Sequence, residues 1–454
     1  MQPSQPSFPD DKSESARSTV RPSDGTTREG LIRKISRWDF VSLIVNIMVG
    51  AGIFGLPSKV YALTGSWSVL AYLICGVLAA LIILCFAEVG SRFSETGGPY
   101  LYARVAFGSA IGFEVGWLLW LARLTGFAAL CNLLLGYLSF FSPALANGLP
   151  RSITITVVVA GMTVVNIIGV REASLVNNFF TIGKLIPLLF FVIAGAFFIS
   201  SEPFKAADAP SLNDFSRAVL LLVFAFSGFE MAVIPAGEVT DPRRDIAFAL
   251  LTSMGIVVAL YVMIQIVCIG TLPGLATSER PLVDAVTGFL GSGAAAILSV
   301  GALISVSGTL TSTMLAGPRV LFAMAEQGQL PKMFASTHRR YHTPHVAILI
   351  SAAITLVLTI QGTFISALTI STVIRLVAYI ATCVSLPVLR RRVDVPSARF
   401  TTPGGQVVAA ASIVLSVWLL TNSPAHDAIA VALAGGLGLP VFFFCRNRDK
   451  DSDT

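Results

Sequence analysis

The chain has 454 residues, of which 54% are hydrophobic and only 12% charged, and that balance excludes a water-soluble fold, which carries about a quarter of its residues as charges. The net charge of +6 would suit a nucleic-acid partner, but the placement of the charges excludes one. With the N-terminus in the cytoplasm, the inner side collects Lys12 through Arg37, Arg92, Arg104, Arg171, Arg243, Arg244, Lys332, Arg339, Arg340, Arg390 to Arg392, Arg399, Arg446, Arg448 and Lys450. The outer side receives only Lys59, Arg151, Lys205, Arg217 and Arg280. This is the positive-inside pattern, and it predicts that both termini are cytoplasmic.

Residues 1–36 are rich in Pro, Ser and charge and lack an apolar core, so they predict a disordered cytoplasmic tail with no signal peptide. Crossing a hydrocarbon layer of roughly 30 Å takes about 20 helical residues. Twelve stretches meet that need: Asp39–Leu63, Trp67–Arg92, Gly108–Phe141, Ile153–Val170, Asn177–Ser200, Phe215–Gly237, Ala247–Leu272, Gly293–Met324, His345–Ile360, Phe364–Leu389, Val407–Thr421 and Ala428–Cys445. They predict an all-α membrane protein, ending in a second cytoplasmic tail at 446–454. The six cysteines, Cys75, Cys85, Cys131, Cys268, Cys383 and Cys445, fall singly inside apolar stretches and read as free packing thiols.

Two of the spans carry a flaw. The first holds "VGAGIFGLP", Val49 to Pro57, and the sixth holds "FAFSGFEMAVIP", Phe224 to Pro235. In lipid an unpaired amide costs several kcal/mol, so a helix is interrupted only where the freed groups line a cavity or meet a ligand. Gly50, Gly52 and Gly55 admit non-helical torsions and close approach, and Pro57 suits the first turn of a new half-helix. Close packing through small residues is the alternative. The two flaws lie about 175 residues apart, in corresponding places of two halves, which is the pattern of a transporter built from inverted repeats. The predicted organisation is 37–200 as a first five-helix repeat, 201–390 as a second, and 391–445 as helices 11 and 12.

The run "NIMVGAGIFGLPSKVYALTGSW" and its continuation to Gly108 resemble the first third of the amino acid–polyamine–organocation (APC) family of permeases, whose first helix carries a G-[SA]-G-[IV]-F motif. "LVFAFSGFEMAVIPAGEVTDPRRD" is similar to the family's sixth helix and the loop after it. "NNFFTIGKLIPLLFFVIAG" is similar to its fifth helix, and "GPRVLFAMAEQGQLPK" to the end of its eighth. The resemblance covers about Arg37 to Cys445 and implies a leucine-transporter-like 5+5 inverted repeat with two extra helices.

The two breaks predict the cargo. A half-helix beginning near Phe54 presents the amides of Gly52, Ile53 and Phe54 at a positive dipole end, which favours a carboxylate. Half-helices ending near Val49 and Phe226 present carbonyls, which favour an ammonium. An α-amino acid carries both groups. Gly50, Ala51, Gly52, Ile53 and Phe54, with Phe224, Ala225, Phe226, Ser227 and Gly228, are therefore the expected substrate-binding residues. The resemblance implies that Phe224 is the aromatic gate. Each helix end contributes about 0.3–2 kcal/mol against the 4–8 kcal/mol, approximately, of micromolar to millimolar binding, so the pocket must supply the rest. Its Gly, Ala, Ser and Phe lean toward neutral cargo.

A charge at the bilayer centre costs about 2.5–3.5 kcal/mol even on lenient scales, so each one calls for a role. The resemblance implies that Lys184 stands where sodium-coupled relatives hold their ion, with Thr309 and the carbonyls around Gly50 as its partners; sodium-independent transport follows. Desolvation would let Lys184 exchange a proton between states. The resemblance also makes Glu230, just after the second break, a candidate proton sensor or structural anchor. Glu238 with Asp241, Arg243 and Arg244 suits an ion-pair gate or a solvated loop. Glu114 and Arg123, nine residues apart on one helix, point to opposite sides, and Glu114 or a substrate carboxylate is the expected partner of Arg375. Uniport, proton symport and exchange stay open, as does a partner subunit. No cofactor is implied. A membrane enzyme lacks its motifs here, and the three histidines of "STHRRYHTPH" lie beside Arg339 and Arg340, which oppose a metal. An amino acid sensor that does not transport remains the other reading.

Overall fold

The computed structural model describes residues 36–50, 52–94, 97–168, 173–205, 208–233 and 239–451, and every regular element among them is a helix. In chain order these are α1 (Arg37–Met48), α2 (Gly52–Thr64), α3 (Ser68–Gly90), α4 (Gly98–Phe107), α5 (Ser109–Leu138), α6 (Gly148–Ile168), α7 (Ala173–Gly195), α8 (Glu202–Lys205), α9 (Leu212–Ala225) and α10 (Phe229–Ala232). They continue with α11 (Pro242–Thr271), α12 (Pro281–Glu326), α13 (His345–Gln361), α14 (Phe364–Arg391), α15 (Gly405–Thr421), α16 (Ala425–Gly436) and α17 (Gly438–Asp451). Among the described residues, eight helical segments are long and apolar enough to cross a membrane, and three shorter apolar helices accompany them. One of the eight, Gly52–Gly90, joins α2 to α3 through a short 3-10 turn.

Local chemistry sets the starts of these helices. Ser36 and Asp39 form a capping box at α1, each side chain accepting from the other's amide. Thr363 and Ser366 do the same at α14. Ser211 accepts from the Asp214 amide, 3.0 Å away, to open α9.

Position in the bundle explains why the helices are apolar on every side. α5 is buried along most of its length and packs on α4, α12, α13 and α14, making it the central post. α6 is apolar too, yet it leaves Ile153, Val157, Val164 and Ile168 exposed, as a lipid-facing helix must. α1 packs on α11, α2 on α9, and α3 on α11, so the two interrupted spans lie inside the bundle. The six cysteines are buried and lie outside any disulfide.

At the end of α3, Glu88 is buried and accepts both Nε and an Nη of Arg390, at 2.6 and 2.7 Å. The Thr402 amide donates to the same carboxylate at 2.8 Å. This fork joins α3 to the end of α14 and the segment after it, and one of the arginines counted as a topological charge is thereby a structural one.

Candidate functional site

Both flawed spans are interrupted. α1 ends at Met48, with Val49 outside helical torsions, and α2 begins at Gly52. The expected start near Phe54 is two residues late. Gly55 is helical, and its role is packing: a Cβ there would lie 2.8 Å from Leu133 and 3.0 Å from Phe364. Pro57 likewise sits inside α2 rather than in its first turn. The second interruption runs over Phe226, Ser227 and Gly228, between α9 and α10. Gly228 has φ +113°, a torsion that side chains rarely adopt. Ala51 and Glu238 lie outside the described residues.

The two breaks touch each other. A Cβ on Gly52 would meet the Ala225 Cα at 3.0 Å, and one on Gly228 would meet the Ile47 carbonyl oxygen at 3.1 Å. Only glycines allow the chains to come so near. The Tyr261 hydroxyl from α11 bridges the pair, 2.8 Å from the Met48 carbonyl and 3.3 Å from that of Ala225. Phe224 lies between the α2 start and α5, with ring atoms 3.5 Å and 3.8 Å from the Cβ positions of Gly52 and Gly126. The contact between Gly52 and Ala225 leaves no room for a ligand, so a molecule lodging between the breaks must part them.

Each break is held by groups of the sign that its exposed dipoles require. At the end of α1, the Lys184 ammonium donates to the Asn46 carbonyl, and Lys184 is 2% exposed. Its partner is therefore Asn46, one turn before Gly50. Thr309 lies beside Gly50, 3.7 Å from a Cβ built there, but donates to the Ser305 carbonyl. At the start of α10 the requirement is reversed. The Gly228 amide donates to Glu230 at 2.8 Å, and the Tyr379 hydroxyl donates to the same oxygen at 2.8 Å. The other oxygen of Glu230 accepts from Arg375.

That ion pair corrects the expectation for Arg375, whose partner is Glu230. Glu114 lies elsewhere: its carboxylate presses on the joint between α16 and α17, where a Cβ on Gly438 would fall 2.6 Å from it. Arg243 donates to the carbonyls of Ser91 and Ser397, and His338 Nδ1 accepts from the amides of Arg340 and Tyr341. Sequence reasoning missed Tyr261, Tyr379 and Tyr137, which donates to the Phe54 carbonyl at 2.8 Å. The available signal was a phenol inside an apolar span, since a buried hydroxyl needs a partner.

Known proteins of similar sequence are transporters and exchangers. A family model described as amino acid permease covers residues 35–434. The serine/threonine exchanger SteT of Bacillus subtilis (strain 168) is 28% identical over 93% of this chain and 99% of its own length. The methylthioribose transporter of the same organism is 25% identical over 91% of this chain and 94% of its own. Cationic amino acid transporter 4, vacuolar, of Arabidopsis thaliana is 28% identical over 69% and 56%. With the match running through both breaks and most of the helices, the chain belongs to the amino acid permease family.

Proposed function

We propose that this protein is a secondary carrier that moves an amino acid across the cytoplasmic membrane by alternating access, without sodium and coupled to protons or to exchange. Its twelve spans are arranged as a 5+5 inverted repeat followed by two further helices, with both termini cytoplasmic. The cargo sits between the breaks, its carboxylate on the amides of Gly52, Ile53 and Phe54 and its ammonium on the carbonyl ends near Val49 and Phe226. No described side chain accepts from those three amides, whereas the equivalent amide at the second break is already taken by Glu230. Phe224 closes over the ligand, and Ala225, Phe226, Ser227 and Gly228 line the opposite wall.

The observation that carries the reading is the Lys184 ammonium on the last turn of α1. A fixed cation there supplies the charge that a sodium ion would otherwise bring to the same carbonyls. The purified protein in proteoliposomes provides the test: uptake of amino acids should persist when sodium is replaced by choline. The Lys184→Ala variant should remain folded and lose the pH dependence of uptake. Steep sodium dependence, or a variant with unchanged uptake and pH response, would remove the proposal. Ligand-induced thermal stabilisation without any uptake would leave a sensor instead.

A further inference from the structure

The charges around the breaks do not balance. Among the described residues, Lys184, Arg123 and Arg375 stand against one carboxylate, Glu230, and that carboxylate is fully engaged by Arg375, Tyr379 and the Gly228 amide. Arg123, on α5, is 5% exposed and finds no oxygen among the described residues. An Nη lies on the Met231 thioether, a weak acceptor, and its Nε has no partner. Met231 is the neighbour of Glu230 in α10, and Arg375 stands close enough to Arg123 for the two charges to repel. A guanidinium cannot shed its proton to escape this cost, so the site is built to receive a negative group.

The place is the substrate region itself. A Cβ on Gly126, one turn along α5 from Arg123, would lie 3.6 Å from an Nη of Arg375 and 3.8 Å from the Phe224 ring. Gly317 of α12 passes 3.7 Å from the Arg123 side chain by the same measure. Arg123 thus faces the junction of α5, α10, α12 and α14, just beyond the aromatic gate.

We propose that Arg123 binds a second acidic group of the cargo, and that the transported amino acid is dicarboxylic, with the chemistry of aspartate or glutamate. This rests on the carrier reading above and replaces the lean toward neutral cargo that the small pocket residues suggested. The α2 amides take the α-carboxylate and Arg123 the side-chain one, in the forked geometry that guanidinium and carboxylate share.

The test is uptake of radiolabelled L-glutamate, L-aspartate and L-serine into proteoliposomes, in chloride and in gluconate, alongside thermal stabilisation of the wild-type protein by each amino acid. Glutamate or aspartate should exceed serine by about tenfold or more, and Arg123→Gln should lose that advantage, as removal of a charge-assisted hydrogen bond implies. Arg123→Lys should keep part of it, and preferential stabilisation of the wild type by the acids stands even if the glutamine variant does not fold. Serine uptake without acid uptake would overturn this inference and leave the carrier reading intact. Acid uptake that Arg123→Gln leaves undiminished, or uptake of serine and acids alike that requires chloride and loses that requirement in Arg123→Gln, would overturn it too, the latter by assigning Arg123 to an inorganic anion. No uptake of any common amino acid would remove the carrier reading itself.

Discussion

The two helix breaks solve one problem in opposite ways. At the first, the protein supplies donors: Lys184 and Tyr261 cover carbonyls at the end of α1, and no described side chain accepts from the amides opening α2. At the second, it supplies an acceptor, Glu230, which takes the Gly228 amide and is locked by Arg375 and Tyr379. The two breaks thus differ in which helix end is filled by the protein itself. On the carrier reading proposed above, a carboxylate at both breaks would leave nothing for an anionic group of the cargo to bind; placed at one only, it would make that break a fixed wall and leave the other to receive the cargo.

The largest test of this contrast is Glu230→Ala. It strands the buried Arg375, and removing one partner of a buried pair costs about 3–5 kcal/mol, so the detergent-purified protein should show a large fall in melting temperature or fail to fold. Glu230→Gln keeps the shape and should fall less. An unchanged melting temperature in both would show that the second break is not anchored by this group. Gly228→Ala comes next. Its torsion and the Ile47 carbonyl both oppose a Cβ, at roughly 1–3 kcal/mol, and thermal denaturation should place it below Gly55→Ala only if packing against Leu133 and Phe364 is the softer constraint.

Tyr261→Phe sharpens the comparison from the other side. It removes a single donor at the first break, worth about 0.5–1.5 kcal/mol, and should alter uptake rate more than melting temperature; the reverse order would make the bridge purely structural. Lys59→Ala sets the floor. Its pair with Glu279 is 2.8 Å long, but Glu279 is 76% exposed, so the change in stability should stay within about 1 kcal/mol.

The breaks were legible because glycine, proline and charge are costly inside lipid and stand out against an apolar run. Their boundaries were less so. Whether Gly55 unwinds or packs depends on Leu133 and Phe364, which lie far along the chain. The Glu230–Arg375 pair joins residues 145 apart and needs the bundle to bring them together, although two opposite charges at membrane depth were a signal that each required a partner. Glu88 passed unnoticed because the end of a span is where an acidic residue is ordinarily hydrated, and only the return of the α14 end over α3 buries it.

Tyr261 carries one more consequence. A phenol owns a single proton, yet its oxygen stands within reach of a carbonyl on each interrupted strand of the chain. The proton can be committed to only one of them at a time; the Met48 oxygen keeps the Gly50 amide, 2.7 Å away, as a second donor, so it is the Ala225 oxygen that depends on the phenol. In the carrier proposed above, an arriving –NH₃⁺, with three hydrogens to give, would serve that oxygen and leave the phenol to Met48, and its departure would return the phenol to both.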